Sequence, residues 1–259
     1  MTDLADAHKK PLVQLLFSIA DDKLVLGHRN ADWTGLGPIL EEDIAFSALA
    51  QDDIAHAGAI YGLIADITGG DADHLAYGRT ANTYRCCDLV ELNDEFDWAV
   101  AVVRQFFCDH FEHLRLRRLS RSNWTKLRQL ASRMLAEENL AIGHADQWIV
   151  RLAKSTSEAR GRIQHAVTKL APLTPSLFEP TEGMADLEAA GVYPPLEAPM
   201  FDAWESMIAN VIDETGLRAE FRAPAKDYVG GRHGKHSADF AAMLSEMTEV
   251  YREEPAAQW

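Results

Sequence analysis

The segment Asp53-Ile54-Ala55-His56 sets a carboxylate and an imidazole three residues apart. On a helix that spacing puts both side chains on one face, one turn apart, where they can share a metal. In the di-iron carboxylate proteins two helices each give such a pair, and two others each give a single carboxylate. The chemistry would be oxygen activation, because iron takes hard carboxylate oxygens plus imidazole and keeps positions open for dioxygen. Further candidates for the same inward faces are Glu42, Asp109 and Glu112 (with Gln105 one turn earlier), Glu137 and Glu138, and Asp21 and Asp22.

The set is incomplete. Three residues after Glu137 stands Leu140, and three after Glu138 stands Ala141. His144 is two turns from Glu137, about 10 Å along a helix axis, too far to share a metal with ligand bonds of about 2 Å. With the second carboxylate–His pair missing, Asp53 and His56 read as members of a buried ion-pair network, since a buried carboxylate is costly unless paired or hydrogen-bonded. Asp109 is expected to bond a neighbour such as His113. The vestigial metal candidates are thus Asp53, His56, Asp109, Glu112 and Glu137. One alternative is an oxygenase using Asp53, His56, Asp109 and Glu137 in an irregular site. Another is a helical binding protein with no oxygen chemistry. His28, His110, His113, His144 and His165 read as ordinary histidines, and no Ser-His-Asp, Walker or dinucleotide motif is present.

Helices must position these residues, and helical periodicity runs through the chain. It predicts helices over 11–28, 39–67, 94–120 and 124–154. Asn30–Pro38 breaks the first from the second, Gly69-Gly70 stops the second, and Ser120–Asn123 is a short polar turn. Short turns between long helices make antiparallel neighbours. The expected fold is all-α, a ferritin-like four-helix bundle over about 11–154 with a C-terminal extension over about 155–259, in one domain. The extension carries helices at 158–170 and 200–215, a long Pro-rich connection between them, a Gly-rich loop Tyr228–His236, and a last helix over Ser237–Arg252. Short helical pieces are expected near His74–Thr80. No strand pattern or repeat is visible.

The formal net charge of -15 argues against nucleic acid, whose phosphates need clustered Lys and Arg. No apolar run reaches the ~18 residues of a membrane span, and the charged start MTDLADAHKKPL has no signal-peptide core. A cytoplasmic protein is expected. Cys86, Cys87 and Cys108 form neither a disulfide framework nor a spaced zinc motif, and the adjacent pair reads as small buried hydrophobes.

The sequence resembles the family of C subunits of the bacterial ring 1,2-phenylacetyl-CoA epoxidases, from about Leu12 to the C-terminus. The resemblance rests on Asp21-Asp22-Lys23-Leu24-Val25-Leu26-Gly27-His28-Arg29 with Trp33, Glu42 and Asp53, and Arg104 to Asp109. It continues through Leu140 to Leu152, Phe201 to Glu205, the tail Gly230-Gly231-Arg232-His233-Gly234-Lys235-His236, Met243 to Met247, and Gln258-Trp259. Glu112 departs from it, at a position where the family often has His. The resemblance implies a non-catalytic, structural subunit in aerobic phenylacetate catabolism, with no cofactor of its own. It would pair with a ferritin-like catalytic subunit that holds the di-iron centre, beside a small accessory subunit and a reductase carrying flavin and iron–sulfur. It also implies a surface at Gly230, Gly231, Arg232, Lys235 and His236 that contacts the catalytic subunit or the phosphates of phenylacetyl-CoA. Glycines allow close backbone approach, Arg and Lys grip phosphate, and the helix expected from Ser237 would offer its N-terminal amides to an anion.

Overall fold

The computed structural model describes residues 4–93 and 95–255. Among them it has eleven α-helices and no strand. They are α1 (Asp6–Ala31), α2 (Leu40–Thr68), α3 (Ala72–Tyr77), α4 (Asp88–Glu91), α5 (Trp98–Leu119), α6 (Thr125–Ala153), α7 (Ser157–Leu170), α8 (Met184–Ala189), α9 (Met200–Thr215), α10 (Ala238–Met247) and α11 (Glu249–Glu253). The all-α expectation holds, and the four long helices lie where periodicity put them. No helix among the described residues is long and apolar enough to cross a membrane. The chain forms two compact units. Of the described residues, one comprises Ala5–Asn93, Glu179–Gly183 and 228–255; the other comprises Leu4, 95–178 and Met184–Asp227.

In the first unit α1 packs along α2. The helices come close at Gly27, where a Cβ would lie 2.8 Å from Ile54 Cγ1 and 3.2 Å from the Ala50 carbonyl. Nearly every residue of α1 from Ser18 to Asn30 is buried, including Asp21, Asp22 and Lys23. Successive helical residues point ~100° apart, so these three charges face three different elements. Asp21 takes both Nη atoms of Arg79, the Tyr61 hydroxyl at 2.5 Å and the Arg85 amide at 2.6 Å. Asp22 takes Arg232 and the Cys87 amide. Lys23 reaches Asp53 of α2.

In the second unit α5 packs against α6, α7 and α9. Trp204 of α9 is fully buried among Phe107, Phe178, Phe201 and Phe221, and its indole N–H donates to the Phe107 carbonyl at 3.1 Å. Arg118 orders the Pro-rich connection by donating to the carbonyls of Pro194 and Tyr193 and to Glu188, while stacking 3.6 Å from the centre of the Tyr193 ring.

Some boundaries differ from the sequence reading. The helix expected from Asn93-Asp94 begins at Trp98, because Glu95 and Phe96 have positive φ and break the run; Asp97 then caps the Ala99 amide. Asp94 itself, like Gln258 and Trp259, lies outside the described residues. The connection over 172–199 contains α8, anchored by the buried Leu187. The last helix divides at Thr248, whose hydroxyl bonds back to the Leu244 carbonyl.

Helix propensity favours Ala over Gly by about 1 kcal/mol. We expect Gly58→Ala, on open surface of α2, to raise stability by about 0.4–1 kcal/mol. Gly27→Ala should do the reverse, because its Cβ meets α2. Urea midpoints of the two variants check this; equal shifts would remove the close approach of α1 and α2.

Candidate functional site

Asp53 and His56 lie on the buried face of α2, 4% and 7% exposed. Their burial agrees with the one-face spacing. Asp53 is neutralised from α1: Lys23 Nζ donates to Oδ1 at 2.8 Å, and Asn30 Nδ2 lies 3.4 Å from Oδ2. The Lys23 side chain is 4% exposed. Sequence reasoning named Asp53 but missed Lys23. The available signal was three consecutive charges inside an apolar-periodic stretch, where at least one must face inward.

On α5, Gln105 Nε2 donates to Asp109 Oδ1 at 2.5 Å, a partner one turn away in place of the expected His113. Glu112, 3% exposed, is gripped by the guanidinium of Arg115, with Nε donating at 2.6 Å. On α6 the candidate Glu137 is exposed, while Glu138 is 3% exposed. The buried register Met134, Glu138, Ala141, Ala145 explains why. It puts Ala141 where a ligand His would stand, and leaves Leu140 79% exposed. His110 Nε2 faces Asp146 Oδ1 at 3.3 Å. Burial, then His113, pulls His110 down to about 4, so the ring is neutral at neutral pH.

Several of these carboxylates already have side-chain partners within their own unit. Asp53 carries an ammonium, Glu112 a guanidinium, and Asp109 a carboxamide donor. Glu137 points to solvent, and Glu138 has no His on its face one turn on.

The Gly-rich loop corrects another expectation. Arg232 does not face outward. It is 3% exposed and grips Asp22 through both Nη atoms at 2.8 and 2.6 Å, with further bonds to the Ser18 and Arg85 carbonyls. Burial alone would lower its pKa, but the charge and hydrogen bonds of Asp22, with Cys87 and Cys86, together hold it above its ordinary value. The amides meant for a phosphate are spent on the chain's own carboxylates. Gly230 and Arg232 N–H donate to Glu179, Gly231 N–H to Asp88, and Ser237 N–H to Glu91. His236 Nδ1 bonds Glu91 at 2.6 Å. Only Gly fits at 231, where a Cβ would lie 2.0 Å from the Cys86 carbonyl. Of the five candidates, Lys235 alone keeps an exposed charge.

Over residues 1–259 the sequence matches the family model described as phenylacetic acid catabolic protein. It is 28% identical over 242 residues to the C subunit of the 1,2-phenylacetyl-CoA epoxidase of Escherichia coli (strain K12), covering 93% of this chain and 96% of that protein.

Two outcomes are expected from this geometry. Asp53→Ala removes a buried ion-pair partner of Lys23 and should cost more than about 1 kcal/mol, whereas joint replacement by Lys23→Met and Asp53→Leu should cost less. A chemical-denaturation double-mutant cycle measures this, and additive effects would refute the pairing. Likewise Arg232→Ala should cost about 3–5 kcal/mol in the isolated chain, and Lys235→Ala less than about 0.5 kcal/mol. Equal effects would mean that Arg232 is not held as described.

Proposed function

The chain belongs to the phenylacetic acid catabolic protein family, and on that premise we propose that it is the structural C-type subunit of a multicomponent phenylacetyl-CoA ring epoxidase. It pairs with a ferritin-like catalytic subunit that carries the di-iron centre, and it contributes fold and docking surface instead of redox chemistry. The small accessory subunit and the flavin and iron–sulfur reductase complete the assembly. The complex works in the cytoplasm on phenylacetyl-CoA, adding one oxygen atom of O2 to the aromatic ring.

The observation that carries this reading is Lys23 on Asp53. Two unit charges of like sign 4 Å apart repel by about 4 kcal/mol at an effective dielectric near 20, and a divalent ion doubles that. A metal at Asp53 would therefore have to displace a buried ammonium. The amine already supplies the positive charge that the carboxylate needs. The full-length similarity to the C subunit of an epoxidase supports the same reading from outside the geometry.

Aerobic iron loading of the isolated chain, followed by elemental analysis, should leave no stoichiometric iron and no carboxylate-bridged absorption. Co-expression with a ferritin-like catalytic chain should give a stable complex whose ring epoxidation needs both chains, with iron found in the partner. Two irons bound to the lone chain, or turnover by it alone, would restore the catalytic alternative. Failure to co-purify would favour a helical binding protein of this family that acts outside an oxygenase complex.

A further inference from the structure

We propose that Cys86, Glu91 and His236 form a zinc site that fastens the C-terminal segment to the turn around α4. This goes beyond the structural role proposed above and does not depend on it. The three residues belong to one compact unit. Cys86 lies just before α4, Glu91 ends it, and His236 stands ahead of α10. The side chains of Glu91 and His236 are 1% and 5% exposed, and Cys86 is fully buried.

Cys86 Sγ is 3.7 Å from Glu91 Oε1 and 3.9 Å from His236 Nδ1, and Nδ1 is 2.6 Å from Oε1. A triangle with these sides has a common point about 2 Å from all three donors, which suits zinc bonds to carboxylate and imidazole and lies about 0.3 Å inside a zinc–thiolate bond, so a small withdrawal of Sγ completes the fit. The imidazole and the carboxylate are also oriented through their other ends. His236 Nε2 sits 3.2 Å from the Tyr84 carbonyl, which directs Nδ1 at the shared point. The imidazole stacks on Phe240 with ring centres 4.3 Å apart. Glu91 Oε2 accepts the Ser237 amide at 2.8 Å, leaving Oε1 for a metal.

The donor set selects the ion. Thiolate with imidazole and one carboxylate suits zinc, whereas magnesium and calcium want oxygen ligands alone. Zinc out of the donors' plane, with Nδ1 and Oε1 moved apart from their 2.6 Å hydrogen bond, would leave the fourth position to a water. The charges balance: without metal the cluster holds a proton on the thiol and one in the Nδ1–Oε1 bond, and zinc replaces both with no change in net charge. Burial, then the carboxylates of Glu91, Asp21 and Asp22, hold the Cys86 thiol well above its ordinary value.

Cobalt(II) is the probe, because a thiolate–cobalt bond gives a near-ultraviolet charge-transfer band that reports the ligand directly. The full-length chain is stripped with chelator and titrated. One equivalent of cobalt should produce the band, and zinc should abolish it by displacement. Cys86→Ser and His236→Asn should each lose it, the latter retaining a hydrogen-bond donor toward Glu91. Cys87→Ser should keep it. Absence of the band in the wild-type chain overturns the site whether or not the variants fold, and so does its retention in either ligand variant.

Discussion

The structure depends on how one helix buries three consecutive charges. Asp21, Asp22 and Lys23 sit in the most enclosed stretch of α1. Removing an ion from water costs several kcal/mol unless a partner and further hydrogen bonds replace the water. Because the three side chains fan out around the helix, no single neighbour can serve them all. Arg79, Arg232 and Asp53 must therefore come from three places in the chain, 58, 210 and 30 residues away. Each pair fixes one element: the segment after α3, the Gly-rich loop and α2. An apolar helix could slide or rotate by a residue at modest cost, whereas this one is keyed in register and rotation together.

The same constraint governs the residues that look like metal ligands. A carboxylate facing a core needs positive charge or donors, and a di-iron centre is one way to supply them. Lys23, Gln105 and Arg115 are another. The carboxylates then keep their places on the inward faces while their partners become side chains of the chain itself. In the proposed role the helices and their surfaces are what this chain brings to the complex, and it has no need of oxygen chemistry.

The C-terminal segment shows how a basic sequence can be an internal one. Gly230 to His236 carries four cationic or titratable side chains in an acidic protein, and in sequence it looks like a patch for anions. The anions it meets are Asp22, Asp88, Glu91 and Glu179. Glycine is what lets the backbone come close enough for its amides to reach them, as the contact of Gly231 with Cys86 makes plain.

Sequence alone determined the helical class, the spans of the long helices and the missing carboxylate–His pair, because periodicity and i to i+3 spacing are local properties that the helix converts directly into geometry. It also placed Asp53 and His56 on one buried face. It chose Glu137 over Glu138 wrongly, since adjacent residues differ by ~100° and only the packed register of α6 says which one turns inward. Tertiary structure alone decided the partners: that Asp53 meets Lys23, that Arg232 turns inward to Asp22, and that His236 arrives beside Cys86 across 150 residues. Pairings between distant segments leave no spacing to read, because they are set by which surfaces pack together once buried charge has to be neutralised.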